Sequence, residues 1–495
     1  MRSILFFSFF YLSLASAQFE PRSTELPKDT LASIGSRIIT AKDFLERFEL
    51  MPWPNKDKVN RIEYTKLEFL HSIVAEKLLA QEAAAQNIGT DSSSLKLQNN
   101  YERLFVRDEY YKTEVQSRIV ITPSEALAGM SRFPYEFEVA VLGILSKEEG
   151  ELLYKKVAKS KNKNATVKFF NDSLYVVIDT VHVTYGFPEE VVEDAVFAIG
   201  KDSLSRPVET QAYGWVMFAL LKKYTNVQNV KYSHPDRLHK VNNVIRERKE
   251  DSIAVRTFAA VTSPQRAEAD PAVFFPIADS VYAILRADST AYLSKGVYQF
   301  NAGAIALLEQ KLSSRLRDRF ITIESGNMTV EDVLQGLFNN VVVFPSPLHL
   351  DHIRIVLNNN IKTVIQNEML AREGLKKNLH QTESVRHDVG VWMDSHKSRM
   401  LLRNIIDTLR RTTDTLQQKR LERYIQESID RYIGTLAKRY NVTINEEALR
   451  RVSTTTSSMV TWRHIGFGGR IIAVPQTIRQ FEWKYEWMKQ EKINQ

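Results

Sequence analysis

The 495-residue chain contains no cysteine. That excludes a disulfide framework, a zinc ribbon, an iron–sulfur cluster and a cysteine nucleophile. Glycine (18) and proline (15) are sparse for this length, which argues against a Gly-rich linker array or a turn-dense all-β protein. The G-x-S-x-G, H-E-x-x-H and G-x-G-x-x-G signatures are missing, and Gly466-Phe-Gly-Gly469 lacks the Lys and Ser/Thr of a phosphate loop. The net charge is +8, but no basic stripe with interleaved aromatics stands out, so nucleic acid is not an expected partner. No stretch of 18 consecutive apolar residues occurs, so no transmembrane segment is expected. What is present is average for a globular protein: 43% hydrophobic and 25% charged residues. The length calls for several domains.

Residues 1–17 read as a secretory signal peptide: one Arg, an apolar run from Ile4 to Leu14, then Ala15-Ser16-Ala17 as a cleavage site. Gln18 follows, so no cysteine is available for a lipid anchor. The mature chain is expected in an extracytoplasmic space. In a periplasm it would act without ATP.

Thr40 with Asp43 three residues on reads as a capping-box start for a helix over 41–50. A longer helix is expected over about 64–87, with Leu67, Leu70, Val74 and Leu78 on one face, and another over 93–119. Thr122-Pro-Ser-Glu125 opens a further helix. At Tyr135 the period changes. Strand, helix, strand, helix and a closing strand pair follow to Leu221, a compact α+β module. Helix returns at Pro235. A strong amphipathic helix spans about 414–440, with Leu421, Tyr424, Ile425, Ile429, Tyr432, Ile433, Leu436 and Tyr440 in one stripe, and its exit to Ile444 reads as a short strand.

The beginning of the chain recurs. Thr329-Val-Glu-Asp332-Val-Leu334 echoes Thr40-Ala-Lys-Asp43-Phe-Leu45. IQNEMLAREGLKKN (Ile365–Asn378) echoes VAEKLLAQEAAAQN (Val74–Asn87). We read this as a diverged internal repeat.

Several of these segments resemble a known family. GSRIITAKDFLERF, VAEKLLAQEAAAQNIG and ITPSEA are similar to the N-terminal region of SurA-like periplasmic chaperones and related parvulin-type (PpiC) peptidyl-prolyl isomerases. Ile144-Leu145-Ser-Lys-Glu-Glu, the Val192–Ile199 helix, and Ser205-Arg-Pro-Val-Glu-Thr210 followed by Tyr213-Gly-Trp215 resemble successive parvulin segments. IDRYIGTLAKRYNVTI resembles the closing helix and strand of such chaperones. The resemblance implies a mainly α, multidomain fold: a SurA-like helical core of N-terminal helices plus a C-terminal helix, with one inserted α+β parvulin-like domain. The expected divisions are a signal peptide (1–17), an N-terminal helical region (18–132), a degenerate parvulin-like domain (133–226), a helical connector (227–300), a second helical region (301–412), the amphipathic helix (413–450) and an unassigned aromatic tail (451–495).

Parvulins speed rotation about X–Pro bonds, whose ordinary peptide counterpart has a barrier of about 18–20 kcal/mol. The family does so with a pair of histidines beside an apolar proline pocket. Here the two histidine positions hold Gly143 and Val216. His182 is the one histidine of the module and the catalytic candidate. The resemblance therefore implies an ATP-independent chaperone of unfolded exported or outer-membrane proteins with isomerase activity weak or lost. An active isomerase and a secreted scaffold docking through its aromatic tail are the alternatives. Leu70, Val74, Leu78, Tyr424 and Tyr432 are the expected client-binding residues. No cofactor is expected. No metal is expected either: His349 and His352 lack a third and fourth ligand. The expected location is the periplasm. Glu148, Glu149 and Asp172 are read as solvated carboxylates.

Overall fold

The computed structural model describes residues 30–158, 177–199, 204–287, 292–293, 296–338, 342–412 and 418–485. The signal-peptide segment, Asp172 and the last ten residues of the aromatic tail lie outside them. In chain order the elements are β1 (Thr30–Ile34), β2 (Arg37–Thr40), α1 (Ala41–Leu50), α2 (Ile62–Ala85), α3 (Ser92–Glu114) and α4 (Pro123–Arg132). Then come β3 (Tyr135–Gly143), α5 (Lys147–Ala158), β4 (Val177–Thr184), α6 (Glu190–Phe197), β5 (Val208–Thr210) and β6 (Gly214–Thr225). They are followed by α7 (Val227–Lys231), α8 (His234–Thr262), β7 (Ala267–Ala269), α9 (Pro271–Ala287), β8 (Tyr292–Leu293), β9 (Val297–Phe300) and α10 (Ala302–Lys311). The rest are β10 (Arg319–Ile323), β11 (Gly326–Thr329), α11 (Val330–Phe338), β12 (Val342–Pro345), α12 (Leu350–Lys376), α13 (Glu383–Thr412), α14 (Gln418–Arg439), β13 (Val442–Ile444), α15 (Glu446–Arg451), β14 (Trp462–His464) and β15 (Arg470–Ile472).

The chain divides into two compact units, one of residues 1–105 with 380–495 and one of residues 106–379. The first unit is built around α2. Thr40 caps α1 as expected: its hydroxyl accepts from the Asp43 N–H at 3.1 Å, while Asp43 Oδ2 accepts from the Thr40 N–H at 2.9 Å. β1 and β2 form a hairpin, and β13 adds to the other edge of β1. The core joins Phe44, Phe48, Phe69 and Trp53 from the N-terminal part to Ile429, Ile433 and Leu436 of α14. Phe69 meets Phe44, Phe48 and Trp53 edge-on, with ring centroids 4.8–5.6 Å apart, an arrangement that aromatic quadrupoles favour.

The tail beyond Arg451 is part of this core. Gly466-Phe-Gly-Gly469 lies in the turn between β14 and β15. Past β15 the chain buries Phe481 and Trp483, and the Trp483 indole N–H donates to the His71 carbonyl at 3.2 Å. Up to Tyr485 the tail contributes Val474 and Trp483 to the core of its own unit, while Trp462 and Tyr485 stay exposed.

The second unit contains the α+β module and a second helical core. The module is a four-stranded antiparallel sheet in the order β4-β3-β6-β5. One face (Val139, Val141, Val183, Val216, Phe218) is covered by Val192 and Val196 of α6. The other (Ala140, Leu142, Met217, Ala219) meets Leu153 of α5. The alternation along β3 and β6 is what sorts these residues to two faces. The second core has a hairpin, β10 and β11, flanked by β7. Thr329 and Asp332 cap α11 with the same reciprocal bonds, 3.2 and 2.8 Å. The long helices α2 and α12 are each followed by an asparagine in the left-handed region, Asn87 (φ 57°) and Asn378 (φ 59°). The repeat read from the sequence is therefore a repeat of elements, caps and backbone conformations.

Candidate functional site

The place to look for isomerase chemistry is the end of the module's sheet, where Gly143 and Val216 are direct cross-strand partners. Val216 is fully buried between sheet and α6. Gly143 offers no side chain, and a Cβ there would lie 2.9 Å from Ile178 Cδ1. Neither position holds a group able to donate a proton or a hydrogen bond to a twisting amide. Leu145 is 91% exposed, and Ile178 and Tyr213 are exposed as well. The Tyr213 hydroxyl donates to Asp179 Oδ2 at 2.7 Å. That bond raises the tyrosine pKa and lowers that of the carboxyl.

His182 is elsewhere. It pairs with Glu138 across β3 and β4, five residues from Gly143 along β3, or about 16 Å at a strand's rise per residue. Its Nδ1 lies 2.9 Å from Glu136 Oε1, its ring stacks near Tyr224 at 6.4 Å, and its side chain is largely exposed. The arrangement is a surface carboxylate–imidazole pair, with Asn226 donating to the other Glu136 oxygen at 3.0 Å. Sequence reasoning passed over Glu193. This fully buried carboxylate accepts from Arg248 of α8 at 2.6 Å and from the Gly186 and Phe187 N–H groups at 2.7 and 3.2 Å, and it ties the module to α8.

The client-binding candidates fare unequally. Leu70, Val74 and Leu78 are all fully buried in the core of the first unit. They are structural residues, and a client could reach them only by opening that core. Tyr432 is half-buried against the same core, with its hydroxyl 3.2 Å from Gln86 Nε2 and 3.4 Å from Glu82 Oε1. Tyr424 alone of the five is exposed.

Three polar groups in the first unit were not anticipated. Arg47 and Glu76 form a buried ion pair, and Arg47 also donates to the Pro475 carbonyl at 3.0 Å. Glu82 is a hub: burial alone would push its carboxyl up, but bonds from Gln86, Tyr440 and Arg439 hold it below its ordinary value. His71 is buried, and burial, with the nearby Lys484 charge adding, pushes its imidazole down to about 3. A fourth group, Asp43, Glu46 and His387, places three ligand-type atoms within 4.8 Å of one another. The two carboxylates hold His387 above its ordinary value. Asp43 Oδ2 is already committed to the Thr40 cap. His349 and His352 sit with ring centroids 5.5 Å apart at the start of α12; among the described residues no further metal-type ligand joins them.

Among the described residues no helix is long and apolar enough to cross a membrane. No protein-family profile matches the chain. The foldase protein PrsA of Caldanaerobacter subterraneus subsp. tengcongensis is 23% identical over 249 residues, covering 43% of this chain and 79% of that protein. Among solved structures, the foldase PrsA of Streptococcus pneumoniae matches 47% of this chain and 93% of its own, with 15% identity and a TM-score of 0.18. The peptidylprolyl isomerase PrsA of Bacillus cereus matches 45% and 86%, with 13% identity and a TM-score of 0.17. TM-scores this low describe no shared overall arrangement. The chain is thus similar, over about half its length, to PrsA foldases of the parvulin type, and not specifically to SurA-like chaperones.

Proposed function

We propose that this protein is an exported, ATP-independent holding chaperone whose parvulin-like module has lost efficient isomerase activity. The observation that carries the reading is the pair Gly143 and Val216. Where the family resemblance would place imidazoles, one residue has no side chain and the other is an aliphatic group sealed in the core. Proline isomerisation needs no covalent step, only a site that favours the twisted amide over the planar one. Neither Gly143 nor Val216 can supply the polar part of that preference through a side chain. The sheet end can still hold apolar segments: Leu145, Ile178 and Tyr213 are exposed there. Clients are unfolded exported polypeptides, outer-membrane proteins among them. Capture costs the client conformational entropy, so binding is modest and reversible. The location is the periplasm, reached through the segment before Gln18.

The test is light scattering from a denatured outer-membrane protein diluted into buffer without nucleotide. The full chain at a few-fold molar excess suppresses aggregation, and Leu145→Ser with Ile178→Ser weakens suppression several-fold. No suppression by the unmodified chain would sink the holding role.

A further inference from the structure

We propose that the chain is a tandem duplication of one core, and that its two halves have exchanged the segments that close those cores. This inference does not depend on the chaperone reading. The hairpins correspond residue for residue at a spacing of 289. Thr30, Ala32, Ser33 and Ile34 pair with Thr40, Ile39, Ile38 and Arg37. Arg319, Ile321, Thr322 and Ile323 pair with Thr329, Met328, Asn327 and Gly326. The third strands also correspond. Ala32, Ser33 and Ile34 face Ile444, Thr443 and Val442; Ile321, Thr322 and Ile323 face Ala269, Glu268 and Ala267.

The closing segments follow one plan. A long helix (α14 or α8) leads to the third strand, and a polar residue then caps a further helix. Asn445 donates its N–H to the Leu31 carbonyl at 2.8 Å and accepts from the Ala448 N–H at 2.9 Å. Asp270 donates to the Phe320 carbonyl at 2.9 Å and accepts from the Ala272 N–H at 2.8 Å. Leu31 and Phe320 are again 289 apart.

The connectivity is crossed. The first half of the chain ends in α8 and β7, yet β7 completes the hairpin of the second half. The second half ends in α14 and β13, and β13 completes the hairpin of the first. The crossing begins just past the two left-handed asparagines. After Asn87 the chain enters α3, whose Val106 approaches Gly374 of α12. After Asn378 it enters α13, which packs on α2. Each core therefore takes its hairpin, capped helix and long helix from one half, and its closing segment from the other.

Side chains decide which segment closes which core. Glu82, at the end of α2, is held by Arg439 at 3.0 Å and Tyr440 at 2.8 Å from the segment that ends in β13. The residue in the place of Tyr440 before β7 is Gln265, which accepts instead from Ser325 of the second hairpin at 3.0 Å. Closing the first core with β7 would leave Glu82 short of its cation, a costly state for a buried carboxylate. Until residues 418–451 are available, β1 keeps an open strand edge.

The cysteine-free chain allows a direct test by engineered disulfides in the full-length protein. The pairs Ser33→Cys with Thr443→Cys, and Glu268→Cys with Thr322→Cys, are expected to cross-link within one molecule to near completion. The crossed pairs, Ser33→Cys with Glu268→Cys and Thr322→Cys with Thr443→Cys, are expected to stay at background. Linkage of the crossed pairs would overturn the exchange, and so would disulfide-linked dimers from the first two. A protease site inserted after Ala287 gives a second readout that needs no cysteine. The exchange requires the cut halves to co-elute one-to-one until denatured; halves that separate natively overturn it.

Discussion

The two cores share a frame and differ in what fills it, and the contrast shows how little sequence the frame requires. Both keep the Thr-x-x-Asp cap, the hairpin register and the asparagine after the long helix. The interiors diverge. Phe44 and Phe48 in the first core correspond to Val333 and Leu337 in the second, and all four are buried. Arg47, which pairs with Glu76 in the first, corresponds to Gly336. There a Cβ would lie 2.3 Å from Val364 Cγ1 of α12. One core holds its helices with a large aromatic cluster and a buried ion pair. The other seats the Val364 side chain directly against the bare Gly336 position. Cores tolerate such repacking when the total filling matches the space.

The sharpest way to break this contrast is through Trp483, which is fully buried in the first core. Trp483→Ala should cost about 3–5 kcal/mol, as truncation of a buried aromatic does. Denaturant unfolding followed by hydrogen exchange should show the loss in the first unit only. A uniform loss would mean that the two units do not unfold separately. Arg47→Ala strands Glu76 in the interior and should cost about 3–5 kcal/mol. The mirror experiment is Gly336→Ala, whose Cβ would overpack against Val364 for about 1–3 kcal/mol. If Gly336→Ala is neutral, the contact of Val364 with Gly336 is not what holds the second core.

Acid should also separate the cores. His71 is held near 3, below its ordinary 6.5, so the folded state binds fewer protons than the unfolded one between those values. Its contribution is complete above about pH 6.5 and is lost as pH falls toward 3. By pH 5 the loss is about 2 kcal/mol. His71→Leu should flatten the pH dependence of the melting temperature over that window; an unchanged slope would mean that another group sets it. The smallest effect expected is at the caps. Thr40→Ala and Thr329→Ala should each cost about 1 kcal/mol, and a much larger loss at either would show that the hydroxyl does more than cap.

The same contrast shows what was legible beforehand. The capped helices, the order of elements in the α+β module and the recurrence of the long helix could be read because each rests on local spacing. The role of α2 could not. Leu70, Val74 and Leu78 read as one apolar stripe open to a client, but α2 is central and its burial runs nearly all the way round, through Lys66, Glu68 and Glu76 as well. A helix enclosed in this way hides its charges in pairs, which a periodicity count does not register. The tail was opaque because Trp483 has no periodic company, and its partner His71 lies far away in sequence. Three-residue strands such as β7 and β13 carry no signal of which edge they join. At the candidate site, the resemblance alone sets Gly143 and Val216 where the family has histidines. The distance of His182 from them was not legible, because it depends on strand register.

The central claim is that the module binds without catalysing proline rotation. The most direct test is the rate of cis-to-trans conversion in a panel of X–Pro peptides, measured by exchange NMR with the full-length protein and with His182→Ala. The account predicts rates at the uncatalysed level for both proteins. A rate well above background, reduced in His182→Ala, would contradict it and move the active site to the Glu136–His182 edge of the sheet.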